Sequence, residues 1–170
     1  MTPQDIAQWK CQYRLEKRNG DINACKTPEE RLKFLKETVP YEIIEGEGNL
    51  MLNEGIDEMW DLVTGAGGTT YNNTNARIGV GNGTTAASAG QTGLQGASTA
   101  FKGMETGYPT STSQKVTFKS SFGDTEANFA WEEWTVDNGS TPDKNLNRKV
   151  ESLGTKSTGT WTLEVDITLS

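Results

Sequence analysis

Trp161-Thr162-Leu163-Glu164-Val165-Asp166-Ile167-Thr168-Leu169 alternates without a break, with five large apolar side chains at the odd positions and four polar ones between them. Successive side chains of a strand point to opposite faces, so this segment is a strand with one buried and one wet face. A strand wet on one side belongs to an antiparallel sheet, because parallel sheets are covered on both. Upstream, Val116, Phe118, Ser120 and Phe122 alternate in the same way. Gly123-Asp124-Thr125-Glu126 supplies a turn, and Ala127, Phe129 and Trp131 resume the alternation as the expected hairpin partner. The doublet Glu132-Glu133 shifts the phase before Trp134 and Val136, which predicts a bulge. Asn138-Gly139-Ser140-Thr141-Pro142 is a loop, after which Asn145 to Val150 leads toward Gly154-Thr155-Lys156. The expected fold class is mainly β, with an antiparallel β-sandwich or jelly-roll-like body.

Residues 65–107 hold 11 of the 19 glycines, and within them Asn75-Ala76-Arg77-Ile78-Gly79-Val80-Gly81 reads as a short strand ending at the turn signal Asn82-Gly83. Thr84 to Gly107 has no large apolar residues except Leu94, Phe101 and Met104, and predicts a long surface excursion of the kind that is either a binding loop or mobile. The chain changes character near residue 64. Residues 1–62 carry 8 of the 16 basic and 13 of the 23 acidic residues, whereas residues 64–170 carry 20 of the 23 threonines. A charged, helix-favouring front thus joins a strand-favouring body.

Two helix starts stand in that front. Thr2-Pro3-Gln4-Asp5 places a hydroxyl at the N-cap and Pro at the first helical position, with Ile6, Trp9 and Tyr13 at helical spacing before Asn19-Gly20. Thr27-Pro28-Glu29-Glu30 is a capping box, followed by Leu32 and Leu35 on one face until Pro40. Neither stripe is large enough to make a core, and short helices are marginal alone. They are therefore expected to dock, either on the chain's own body or on a neighbouring subunit. A third helix is expected from Asn49 to Val63, with Leu52, Ile56, Met59, Trp60 and Val63 on a buried face, Gly55 inside it and a left-handed stop at Gly65. The domain reading is a helical N-terminal arm over 1–48 and a β-rich body with a leading helix over 49–170.

The 170 residues carry a formal charge of −7 and no histidine, which removes Ser-His-Asp, Cys-His and His-metal arrangements from this chain. The acidic balance argues against a duplex-DNA footprint, and Arg77, Arg148 and Lys149 are too scattered for a basic groove. No window approaches the apolar length of a membrane span, and Met1 leads into polar sequence, so the expectation is a protein without a membrane partner that is not secreted by the ordinary route. Cys11 and Cys25 read as free thiols without secretory context.

The remaining candidates for chemistry are weak. Gly79-Val80-Gly81-Asn82-Gly83-Thr84 lacks the Lys or the third glycine that a phosphate cradle needs, and reads as a hairpin turn. Adjacent strand residues point apart, so Glu132 and Glu133 read as solvated edge charges rather than a glycosidase pair. Asp57, Glu58 and Asp61 read as a solvated helix face, and Cys11, without a histidine partner, as a surface thiol. Phe129, Trp131 and Trp134 are weighed as a stacking platform and read as core. No catalytic, cofactor or metal residues are assigned, and a hydrolase is disfavoured.

Asn75-Ala-Arg-Ile-Gly-Val-Gly-Asn-Gly83, Gln91-Thr-Gly-Leu-Gln-Gly-Ala97, Gly107-Tyr108-Pro109, Glu126-Ala-Asn-Phe-Ala-Trp131, Leu146-Asn147-Arg148, Leu153-Gly154-Thr155-Lys156 and Trp161-Thr-Leu163 resemble small structural proteins of tailed bacteriophages encoded with the head genes. The resemblance spans roughly residues 49–170. It implies a non-enzymatic virion component, with a capsid decoration or cement protein as the leading role. Such proteins are commonly trimers, sit on the capsid exterior after assembly in the host cytoplasm, and bind the major capsid protein and neighbouring copies of themselves. The expected contact residues are Ile6, Trp9, Tyr13, Leu32 and Leu35. The alternatives are a tail, neck or fibre-base component, or a carbohydrate-binding module using Trp131, Trp134 and Tyr108.

Overall fold

The computed structural model describes residues 8–170. In chain order the elements are β1 (Trp9–Arg18), α1 (Pro28–Glu37), β2 (Glu42–Glu47), β3 (Leu50–Met51), α2 (Asn53–Thr64), β4 (Arg77–Gly81), β5 (Thr99–Gly103), β6 (Thr110–Thr112), β7 (Lys115–Phe122), β8 (Ala130–Asp137), β9 (Asn147–Thr155) and β10 (Thr160–Leu169). They build two five-stranded antiparallel sheets in the orders β2-β1-β10-β7-β6 and β3-β9-β8-β4-β5.

The alternating segment that opened the sequence reading is β10, the middle strand of the first sheet. It pairs with β1 from Trp9↔Leu169 to Arg18↔Thr160, and with β7 from Trp161↔Phe122 to Thr168↔Lys115. Its apolar face, Trp161 to Ile167, packs with Tyr13, Leu15 and Phe118 and with Ile78, Val80, Trp134 and Val136 of the second sheet. Aromatic contacts tie the core together: Tyr13 lies 5.4 Å from Trp134, and Trp131 meets Phe122 and Trp161 edge-on at 5.0 and 4.9 Å.

The front of the chain departs from expectation. Residues 9–18 form a strand, not a helix, and β2 lies beside it, so both belong to the body's own sheet, and among the described residues α1 is the one α-helix of the expected arm. Trp9, Cys11, Tyr13 and Leu15 recur at every second residue, and burying that face on the core outweighs helix propensity. The capping box at Thr27 and Glu30 forms as expected, and α2 ends at Gly65 with φ 72° in the left-handed region. Trp60 and Val63, expected on the buried face of α2, are exposed.

The expected hairpin between residues 116–122 and 127–131 is a corner between sheets: β7 pairs with β10 and β6, β8 with β9 and β4. Buried Lys156 holds this corner, its Nζ donating to Gly123 O at 2.7 Å and Asn128 Oδ1 at 2.9 Å. The bulge falls where expected, between Trp131 and Glu133.

Three acids and thiols expected at the surface are buried. Cys11 faces the core. Glu58 accepts from Thr69 N and Asn138 Nδ2. Glu133 lies wholly inside, paired with wholly buried Arg148. Glu133 Oε1 accepts the backbone N–H groups of Gly83, Gln95 and Gly96 at 3.1, 3.0 and 2.7 Å, and Arg148 Nη1 donates to Gln91 Oε1 at 2.9 Å. The glycine-rich excursion is thus latched over the outer face of the second sheet. Gly83 must be glycine for this: a Cβ there would lie 2.4 Å from Glu133 Oε1 and 2.6 Å from Gly96 N.

Candidate docking surface

Arg18, at the end of β1, fixes where α1 lies. Its Nε donates to Thr38 O at 2.8 Å and its Nη2 to Leu35 O at 3.2 Å, while Nη2 also pairs with the Glu16 carboxylate. A cation on the last carbonyls of a helix completes their hydrogen bonding and complements the helix dipole. The other end is fixed by Arg31, whose Nε and Nη2 grip Glu105 at 3.1 and 2.5 Å. Glu105, by direct hydrogen bonding, holds the Arg31 guanidinium above its ordinary pKa.

Held in this way, α1 leaves a cleft of about 500 Å³ between itself and the first sheet, lined by Leu32, Leu35, Arg18, Tyr108 and Lys119. Lys119 Nζ sits 5.4 Å from the Tyr108 ring centre and 3.0 Å from Glu164. Leu32 is exposed. From α1 the chain runs through Val39 (82% exposed), Tyr41 (55%) and Ile43 (46%) into β2, an edge strand. Val39, Tyr41 and Ile43 thus leave three large apolar side chains exposed along this margin. A separate exposed pair, Trp60 and Val63, lies on α2.

Of the five contact residues expected from sequence, the structure brings Leu32 and Leu35 together at this cleft. Ile6 lies outside the described residues. Trp9 and Tyr13 are corrections: Trp9 packs against the core and donates from Nε1 to Asn49 Oδ1 at 2.6 Å, and Tyr13 is buried with its hydroxyl donating to Glu151 Oε2 at 2.5 Å. Trp131 and Trp134 have no exposed surface and offer nothing to a sugar ring. Sequence reasoning missed Val39, Tyr41 and Ile43. Their spacing of two was a readable signal, but Pro40 between them marks a helix end and drew the reading there.

Among the described residues no group of three or more Asp, Glu or Cys side chains is placed to hold a metal ion, and no helix is long and apolar enough to cross a membrane. The margin along β2 offers exposed apolar side chains, ion pairs and backbone groups of an edge strand. These features define a two-sheet antiparallel β protein with an apolar margin along one sheet edge. Comparison with protein-family models, curated proteins and solved structures returns no match.

Proposed function

We propose that this chain is a non-enzymatic structural component of a tailed-phage virion, a decoration or cement protein that sits on the capsid exterior and bridges shell subunits. The observation that carries the reading is the exposed row Leu32, Val39, Tyr41 and Ile43 beside an open sheet edge, on a body whose core is filled without it. The resemblance of residues 49–170 to phage head-associated proteins supplies the setting. Association into trimers, contact with the major capsid protein and a jelly-roll-like body belong to the same proposal. Repeated weak contacts suffice for such a role, because each tethered contact forms at high effective concentration.

Gold-labelled protein added to particles of the encoding phage grown without it tests the reading. Label over the head, lost in Leu32→Asp with Tyr41→Asp, is the expected result. Label confined to the tail or neck would replace cement with a tail, neck or fibre-base role, and bare particles would overturn a virion role altogether.

A further inference from the structure

Four strands lie at sheet edges. Of these β3 and β6 are two and three residues long, and β5 gives the carbonyl of Lys102 to Ser120 Oγ at 3.0 Å. β2, six residues long, is the longest of the four, and among the described residues its backbone is reached only near its end, where Lys149 Nζ donates to Glu47 O at 3.0 Å. Its register gives the outward groups. Gly48 N donates to Cys11 O, and in an antiparallel ladder the bonding residues alternate, so 42, 44, 46 and 48 turn to β1. The backbone N–H and C=O groups of Ile43 and Glu45 and the N–H of Glu47 therefore face out unpaired, the Glu47 carbonyl being held by Lys149.

We infer that this edge accepts an extended, basic segment of another polypeptide as a sixth strand, with Lys or Arg side chains set against Glu45 and Glu47. Unpaired strand edges are templates for added strands. The charges choose the occupant. Two copies of β2 laid antiparallel through their outward groups would set Glu45 against Glu45 in the register centred on it, or Glu45 against Glu47 in the next, and like charges across a ladder destabilise it. A basic strand meets the same carboxylates favourably. Glu47 is the most available of them: no described cation lies within ion-pair distance of its carboxylate, whereas Glu42 pairs with Lys17 at 2.8 Å and Glu45 with Arg14. Val39, Tyr41 and Ile43 stand at the same margin to receive apolar side chains of the incoming strand. The inference deepens the adhesion reading by naming the chemistry of the partner.

Blocked peptides of alternating Lys and Val, and of alternating Glu and Val, serve as probes. They are titrated into the full-length protein at low salt while amide exchange is followed by NMR. The Lys peptide should slow exchange at Ile43, Glu45 and Glu47 by about tenfold, and the Glu peptide should not. Glu47→Lys leaves every ion pair of the fold intact and should weaken the Lys peptide about fivefold. Glu45→Lys with Glu47→Lys should reverse the preference. Equal protection by both peptides, or none from either at saturation, overturns the inference. Protection by the Lys peptide with bare phage heads would remove the cement role and keep the basic-strand site, and decorated heads with unprotected edge amides would do the reverse.

Discussion

Glu133 and Arg148 meet at 2.7 Å between Oε2 and Nε, and neither side chain reaches solvent. Such a pair costs a great deal of desolvation, and it persists here because the remaining carboxylate valences are filled by three loop N–H groups. The consequence is order in residues 83–96. Glu133→Ala strands a buried guanidinium together with those amides, and should cost about 3–5 kcal/mol, lowering Tm by roughly 10 °C. Exchange at Gly83, Gln95 and Gly96 should accelerate beyond the global change. Adding Arg148→Ala should cost less than the sum of the single losses, as a double-mutant cycle would show.

Cys11 should be silent to thiol reagents. Burial pushes its thiol up to about 12, with Asp166 adding to the effect, so almost no thiolate exists at neutral pH. One equivalent of a disulfide reagent should react readily at half-buried Cys25, and the second only after denaturant is added. Rapid reaction of both thiols in the native protein would place Cys11 outside the core.

The sequence announced the strands that are wet on one face and dry on the other, above all β10, because water and core impose a period of two. It also announced α1 through its capping box. It concealed whatever a second layer covers. Glu133, Thr135 and Asp137 form a polar stripe on β8 that periodicity assigns to solvent, yet all three are fully buried. Glu133 is capped by the N–H groups of a polar, glycine-rich loop, Thr135 donates to Asn145 Oδ1 and Asn147 O, and Asp137 is held by Arg77; such hydrogen-bonding partners look the same as water to an alternation count. The candidate surface was half legible. Leu32 and Leu35 stood out as unpartnered, but the Thr2-Pro3 cap signal drew Trp9 and Tyr13 into the same face, although Trp9-x-Cys11-x-Tyr13-x-Leu15 carries the strand period.

Asp137 gives the fold an unusual acid response. Burial, and then the neighbouring Asp143 carboxyl, raise it to about 6 against the lowering effect of Arg77, whose Nε and Nη2 donate to it at 3.0 and 2.5 Å. An unfolded aspartate titrates near about 4, so between these values the native state binds the extra proton. Stability from this group therefore rises as pH falls from about 6 to about 4, and the cost of the buried charge is fully present above about 6. Asp137→Asn cannot titrate. Relative to that variant the wild type should gain up to about 3 kcal/mol between pH 7 and 4 in urea melts. A relative loss on acidification would show that the Arg77 pair dominates instead.

Gly55 should defy the ordinary rule for helices. It lies inside α2, where Gly→Ala at an exposed site stabilises by about 1 kcal/mol. In this fold α2 runs against the segment entering β9, closely enough that a Cβ on residue 55 would stand 2.7 Å from Leu146 Cα and 2.8 Å from Asn145 O. Those neighbours are backbone and cannot swing aside. Asn145 N donates to Glu54 Oε1 at 2.9 Å and Leu52 N to Leu146 O at 3.2 Å, so retreat of the helix breaks hydrogen bonds on both sides. Overpacking of this kind costs about 1–3 kcal/mol, which exceeds the propensity gain. Gly55→Ala should thus lower the urea midpoint, whereas Thr64→Ala, at the exposed last turn of the same helix, should leave it within about 0.5 kcal/mol of wild type. A stabilised Gly55→Ala protein would mean that the helix stands off from Leu146 in solution.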